Sequence, residues 1–266
     1  MLKFPKIALA VAVVTATVML TSCATSPTGR KQFKLYSSQQ LAEIATAQFR
    51  QMKQQQPINN AAKDNQYVQC IADKLIAQLP LPWSRQSWEV VVFESDDVNA
   101  FAMPGNKIGV YDGMINLAEN QHQLAAVIGH ELAHVLADHS NERLSSQSLI
   151  GFGVKIAEKQ GGKSLAQGVG TAANLLIALP YSRVNETEAD IIGLDIMAKA
   201  GFQPQQSVRL WQLMSQKSGG KSVPELLSTH PTDKSRIADL QKQMNQATAL
   251  YRQAKTQGYA PHCKKP

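Results

Sequence analysis

Leu124-Ala-Ala-Val-Ile-Gly-His-Glu-Leu-Ala-His-Val-Leu-Ala137 is the stretch that decides how this chain is read. No charged residue lies between Leu124 and Glu131, or between Glu131 and Asp138. A segment apolar on every side belongs in the core, and its length predicts a helix from about Glu119 to Ala137. His130 and His134 stand four residues apart, so on a helix they share one face, one turn apart. Both imidazoles can then reach a single metal ion. Glu131 is offset along the same turn and can approach a water at that ion. This is the H-E-x-x-H pattern expected of a zinc-dependent peptidase.

A catalytic zinc takes three protein ligands and keeps one position open. The chain has six histidines, so the third ligand can be sought among them. A ligand at the H-x-x-G-x-x-H spacing would need Gly at 137 and His at 140, where Ala137 and Ser140 stand. His139 is out of register by one and is set aside. His122 precedes the helix face and reads as a surface residue; His262 sits in a Lys- and Pro-rich end and reads as solvated. A carboxylate from another helix remains. In Asn185-Glu-Thr-Glu-Ala-Asp190, Glu186 and Asp190 are four residues apart and share a face. Glu186 can ligate while Asp190 accepts the outer N–H of a ligating histidine and fixes its tautomer. Glu188, about 200° round the helix from Glu186, is expected to face solvent. The same acids would also suit a helix N-terminus through its dipole; the upstream histidine pair favours the ligand role.

Working outward, the pattern before the metal helix is mixed and the pattern after it is helical. Ser38 can cap a helix running to Gln56, and Ala62 to Leu79 is a second, stopped by Pro80 and Pro82. Trp88 to Phe93, Asn99 to Met103 and Lys107 to Tyr111 read as strands, the last two joined by the turn Pro104-Gly105-Asn106. Downstream, helices are expected at Glu142–Lys159, Lys163–Leu179, Glu186–Ala200, Gln205–Gln216 and Pro231–Gln257, with a loop around Gly219-Gly220. The class is α+β, mainly helical, with a small sheet before the metal helix.

The N-terminus reads as a processing signal. Lys3 and Lys6 precede an apolar run, Ile7 to Leu20, that is short for a spanning helix. Leu20-Thr-Ser-Cys23 resembles the bacterial lipobox, in which the cysteine carries lipid; Ala24 after it favours the periplasmic face of the outer membrane. The expected division is a signal over 1–22, a tether over 23–37, one domain over 38–258 and a tail over 259–266. If Cys23 is lipidated, Cys70 and Cys263 remain, and an oxidising periplasm permits a disulfide between them. Cys70 could equally be buried as a small apolar residue. Apolar residues make up 44% of the chain, enough for a core, and the formal charge of +7 comes from scattered lysines and arginines. With no aromatic–basic interleaving, nucleic acid is not an expected partner.

H-E-x-x-H followed by E-x-x-A-D resembles the HtpX-like zinc metallopeptidase family, number forty-eight of the metallopeptidases. Asn99-Ala-Phe-Ala-Met-Pro-Gly105, Ile108-Gly-Val-Tyr-Asp-Gly113, Leu179-Pro-Tyr-Ser-Arg183 and Ser228-Thr-His-Pro231 are similar to further signatures of that family. The resemblance runs from Val90 to Ile237 and is strongest to bacterial lipoprotein relatives of the mitochondrial OMA-type protease. It implies a zincin (gluzincin-like) domain holding one Zn2+ per chain through His130, His134 and Glu186, with Glu131 as general base. It further implies that His230 stabilises the oxyanion, that Arg236 accompanies His230, and that Asn99, Ala100, Phe101 and Ala102 lie on a substrate-binding strand. The implied substrates are unfolded or misassembled envelope proteins, met by a lipid-anchored enzyme. Two other classes stand beside this one. A periplasmic chaperone or assembly factor on the same fold would be free to lose Glu131 or a ligand, and all are present. A structural zinc domain would offer four Cys or His ligands, and no such set is evident.

Overall fold

The computed structural model describes residues 23–159, 180–217, 224–230 and 234–266. The expected signal over 1–22, the helix expected at Lys163–Leu179, the Gly219-Gly220 loop and the start of the last helix at Pro231 lie outside them. The chain opens with a hairpin, β1 (Cys23–Thr25) and β2 (Lys31–Phe33), followed by α1 (Ser38–Gln55) and α2 (Ala62–Ile76). Three strands come next, β3 (Glu89–Phe93), β4 (Ala100–Met103) and β5 (Lys107–Tyr111). Helices then follow: α3 (Asp112–Leu117), α4 (Gln121–Leu136), α5 (His139–Lys159), α6 (Arg183–Lys199), α7 (Gln205–Lys217), the short α8 (Leu226–Thr229) and α9 (Lys234–Thr256). The α+β expectation and the three strands hold.

Local chemistry sets the boundaries. Helix α1 is capped by Ser37, one residue before the expected Ser38, in a capping box with Gln40. Helix α6 begins three residues earlier than expected, because Ser182 and Asn185 form a second capping box, which places Glu186 in its first turn. The Asn120 side chain caps α4 by accepting from the His122 and Gln123 amides. The three-stranded sheet has the order β3-β5-β4, with β3 parallel and β4 antiparallel to β5. Among the described residues β4 pairs only with β5, so its other side is an edge.

The main core joins α2, the sheet and α4. Leu124, Ile128 and Leu132 on α4 are fully buried, each worth about 1.5–3 kcal/mol relative to exposure. A second cluster under α1 holds Phe49, Phe93, Phe101 and Tyr111. The Phe101 ring lies over Gly109, where a Cβ would come within 2.3 Å of it, so this part of β5 needs a glycine. Two further glycines set up the site. A Cβ on Gly193 of α6 would lie 2.8 Å from the His130 backbone nitrogen, and one on Gly129 3.1 Å from the Gly193 carbonyl oxygen. The two helices therefore meet backbone to backbone, close enough for the carboxylates N-terminal to Gly193 to reach the histidines of α4.

Both ends depart from the expected division. Residues 23–37 do not hang free as a tether. Gln32 Nε2 donates to the Ala137 carbonyl (2.6 Å), Lys34 pairs with Asp138 (2.7 Å), and Arg30 grips Glu142 through two nitrogens (2.6 and 2.7 Å). The reason is polar chemistry that a composition reading cannot rank: a Pro- and Gly-bearing segment looks loose until its partners are known. At the other end, Cys263 forms a disulfide with Cys70, its amide donates to Gln121, and Lys265 Nζ donates to the Ala118 carbonyl. The tail over 259–266 is thus fixed to the domain, with His262 exposed. Among the described residues, no helix is long and apolar enough to cross a membrane.

Candidate metal centre

Helix α4 supplies His130, Glu131 and His134, α6 supplies Glu186 and Asp190, and the end of α8 supplies His230. All six are buried. One donor atom from each of His130, His134, Glu186 and His230 lies within 4.8 Å of the others. The Nε2 atoms of His130 and His134 are 3.0 Å apart, and each is 3.4 Å from a Glu186 carboxylate oxygen. These two imidazole nitrogens and the Glu186 carboxylate face one another across one small buried space. Glu131 Oε1 beside them is buried without a hydrogen bond. A set of soft-to-intermediate nitrogen donors with one carboxylate, converging in a buried space, fits a divalent transition metal, and zinc above all.

The protonation states point the same way. Burial pushes the His134 imidazole well below its ordinary value, so it stays neutral and available as a ligand. Burial opposes charge on Glu186, but the fields of His230 and Arg236 outweigh it and hold its carboxyl well below the usual range. Burial also raises the Glu131 carboxyl, against the opposing pull of His230 and His130, which is the direction that suits a proton acceptor. His130 is the exception. Burial and Arg236 lower it, yet hydrogen bonds to Asp190 and Glu186 carry it to about 9, so a metal there has a proton to displace.

The outer nitrogens of the two α4 histidines are held differently. His130 Nδ1 lies 3.0 Å from Asp190 Oδ1, the partner the i, i+4 spacing predicts. Asp190 in turn accepts two hydrogen bonds from Arg236, from Nε at 2.7 Å and Nη2 at 2.8 Å, and Arg236 Nη1 sits 2.7 Å from Glu186 Oε2. Arg236 therefore braces the acids rather than simply accompanying His230. His134 Nδ1 lies 2.9 Å from His139 Nδ1, and His139 Nε2 donates to Glu188 Oε2 at 3.1 Å. This corrects the expectation that Glu188 faces solvent. That side of α6 is covered by the N-terminal hairpin, and Glu188 also accepts from Thr28 (2.5 Å) and Arg30 (2.9 Å). His139, set aside as a ligand, is fully buried and touches a candidate ligand instead of the metal position.

His230 was expected to act on the oxyanion. Its Nδ1 is 3.3 Å from His130 Nε2 and 3.0 Å from Glu186 Oε1, among the donor atoms, while its Nε2 faces Glu131 Oε1 at 3.5 Å. Asn99, Ala100, Phe101, Ala102 and Met103 line a cleft of about 170 Å³ together with Glu131, Arg143, Tyr181 and His230. The strand and the general-base candidate thus share one cavity. Tyr181, Arg143 and Trp211 were not foreseen. Tyr181 stacks on the His134 ring at 4.0 Å, Arg143 lies over Tyr181 at 3.9 Å, and Arg236 lies over Trp211 at 3.5 Å. Only Tyr181 had a sequence signal, within Leu-Pro-Tyr-Ser-Arg; Trp211 had none beyond its size.

A buried histidine pair on one helix, completed by a carboxylate from a second helix and flanked by an edge strand, defines a zincin-type metallopeptidase centre. Residues 62–244 match the profile of Peptidase family M48, and the chain belongs to that family. It is 34% identical over 175 residues to the mitochondrial metalloendopeptidase OMA1 of Saccharomyces cerevisiae, covering 63% of this chain and 50% of that protein. It is 35% identical over 169 residues to the OMA1 protein of Arabidopsis thaliana, covering 63% and 34%. Against the Beta-barrel assembly-enhancing protease of Escherichia coli the identity is 26% over 223 residues, covering 79% and 45%. The chain therefore spans about half the length of these relatives or less.

Proposed function

We propose that this chain is a zinc-dependent endopeptidase of the bacterial envelope that cleaves unfolded or misassembled envelope proteins. The observation that carries the reading is the convergence of His130, His134 and Glu186 beside Glu131, whose buried carboxylate belongs to a residue lining the cleft along β4. His130, His134 and Glu186 would hold the zinc, which when bound would supply Lewis acidity toward a peptide carbonyl and make a water more acidic. Glu131 would act as general base on the water as its oxygen adds to the carbonyl carbon, and would pass the proton to the amine as the C–N bond breaks. His230 Nε2, on the same side as Glu131, donates to the oxygen that becomes negative. Tyr181 keeps the His134 ring in place by stacking.

The edge of β4 can take an extended peptide as an added strand, held by main-chain hydrogen bonds and therefore with loose sequence preference. Such a site suits unfolded segments, and the similarity to the Beta-barrel assembly-enhancing protease of Escherichia coli supports an envelope substrate. Lipid attachment at Cys23 would hold the enzyme at the outer membrane, and the lipobox-like Leu20-Thr-Ser-Cys23 supports it.

Two measurements test this. Purified protein should contain one zinc per chain and digest casein or an unfolded outer-membrane protein, losing that activity to a chelator and regaining it with zinc. Zinc and peptide binding without turnover would point to a client-holding protein instead. Radiolabelled fatty acid should enter the wild type and not Cys23→Ser; label persisting in that variant would rule out the anchor.

A further inference from the structure

His139, Glu188, Thr28 and Arg30 form one chain of hydrogen bonds that ends on His134, and none of them is a metal ligand. The pattern of donors and acceptors has a single consistent assignment. If His134 offers the lone pair of Nε2 to a metal, its proton must sit on Nδ1. That N–H then points at His139 Nδ1, 2.9 Å away, which must accept. The His139 proton is thereby placed on Nε2, which donates to Glu188 Oε2 at 3.1 Å. Arg30 Nε donates to the same Glu188 oxygen, and Thr28 Oγ1 donates to the other. Every link has one donor and one acceptor, and the chain terminates on a paired carboxylate.

The backbone geometry allows it. Asp138 adopts φ 56°, in the left-handed region that few side chains favour, and this residue turns the chain from the end of α4 into α5. His139 is thereby folded back against His134, with ring centroids 4.9 Å apart. The other end of the chain belongs to the hairpin β1–β2, which starts at Cys23 and reaches across 158 residues of sequence from Arg30 to Glu188.

We propose that His139 is a positioning residue for the metal centre, held by Glu188, and that docking of the N-terminal hairpin through Thr28 and Arg30 sets how tightly the centre keeps zinc. This rests on the zinc reading given above. Partners that orient the outer nitrogen of a ligating histidine typically carry a 10–100-fold share of metal affinity.

The test uses the full-length protein in detergent. Zinc affinity is measured by competition with a chromophoric chelator, and the absorption bands of the cobalt-substituted protein report the ligand field. His139→Ala and Glu188→Gln should each weaken zinc about tenfold or more and shift the cobalt bands. His139→Asn should recover much of the affinity, because its amide oxygen can accept from His134. Arg30→Gln should weaken zinc by a smaller factor. Lys34→Ala removes an ion pair to Asp138 just after the hairpin while leaving the Thr28 and Arg30 links to Glu188 intact, and should leave zinc affinity and the cobalt spectrum unchanged. The metal-free forms of Arg30→Gln and Lys34→Ala should melt at similar temperatures, which separates positioning from stability. Should His139→Ala fail to fold, Glu188→Gln and Arg30→Gln still decide. The proposal is overturned if Glu188→Gln and Arg30→Gln bind zinc as wild type does, or if Lys34→Ala loses as much affinity as Arg30→Gln. A wild type that binds no zinc overturns the metal reading, and this proposal with it.

Discussion

The two histidines of α4 are held from behind in different ways. His130 meets a carboxylate directly: Asp190, clamped by Arg236. His134 meets a second imidazole first, His139, and reaches a carboxylate only through it. On the first side all the parts but Arg236 come from the two helices that carry the proposed ligands. On the second side the parts come from α5, α6 and a hairpin more than a hundred residues away in sequence. The difference teaches that a ligand pair of regular spacing can rest on supports of very unequal origin. One support is as fixed as the helix packing. The other depends on a peripheral segment staying docked.

This comparison can be broken or sharpened by mutation, and the largest effect on zinc is expected where both sides meet. Glu186→Ala removes a proposed ligand and should weaken zinc by more than about a hundredfold, beyond the range of any outer partner. Full occupancy with unchanged affinity would place the third ligand elsewhere. Gly193→Ala comes next. Its added Cβ would press on the His130 backbone, forcing α4 and α6 apart, and should cost about 1–3 kcal/mol of stability in denaturant melts along with zinc affinity on both sides. Asp190→Asn should cost about 10–100-fold in zinc affinity and exceed Glu188→Gln in chelator competition, because its carboxylate touches the ligand without an intervening ring. Equal losses would mean that distance from the metal does not rank the two supports. The smallest effect on zinc is expected for His230→Ala. Its affinity should stay within about threefold of wild type while turnover falls about a hundredfold, as for loss of one oxyanion donor. A large loss of zinc with His230→Ala would make it a fourth ligand rather than an oxyanion donor.

Much of the first side was legible in the sequence. His130 and His134 follow from the H-E-x-x-H spacing, and Glu186 and Asp190 from a second i, i+4 pair once that motif needs a third ligand and the other histidines are set aside. The strands were legible through alternation and the Pro104-Gly105-Asn106 turn. Arg236, and a substrate-binding role for the strand over Asn99–Met103, came from family resemblance and not from spacing. The second side was not legible. Glu188 sits on the face of α6 that periodicity assigns to water, and only the docked hairpin makes that face interior. His139 failed the spacing of a ligand, and spacing carries no information about a residue that serves a ligand from behind. Arg30 and Thr28 stood in a Pro- and Gly-bearing segment whose order depends on contacts across the fold. Helix α6 started early because its capping box lies upstream of the acids that drew attention to it.

The most direct test of the central claim is Glu131→Gln. The change keeps the size and shape of the side chain and removes its ability to take a proton, while leaving the proposed ligands untouched. Protein freed of host proteases should be assayed against an unfolded substrate, with zinc content measured on the same sample. The account predicts one zinc per chain, retained peptide binding, and turnover lower by about a hundredfold or more. Digestion at the wild-type rate by a zinc-loaded Glu131→Gln protein would contradict it.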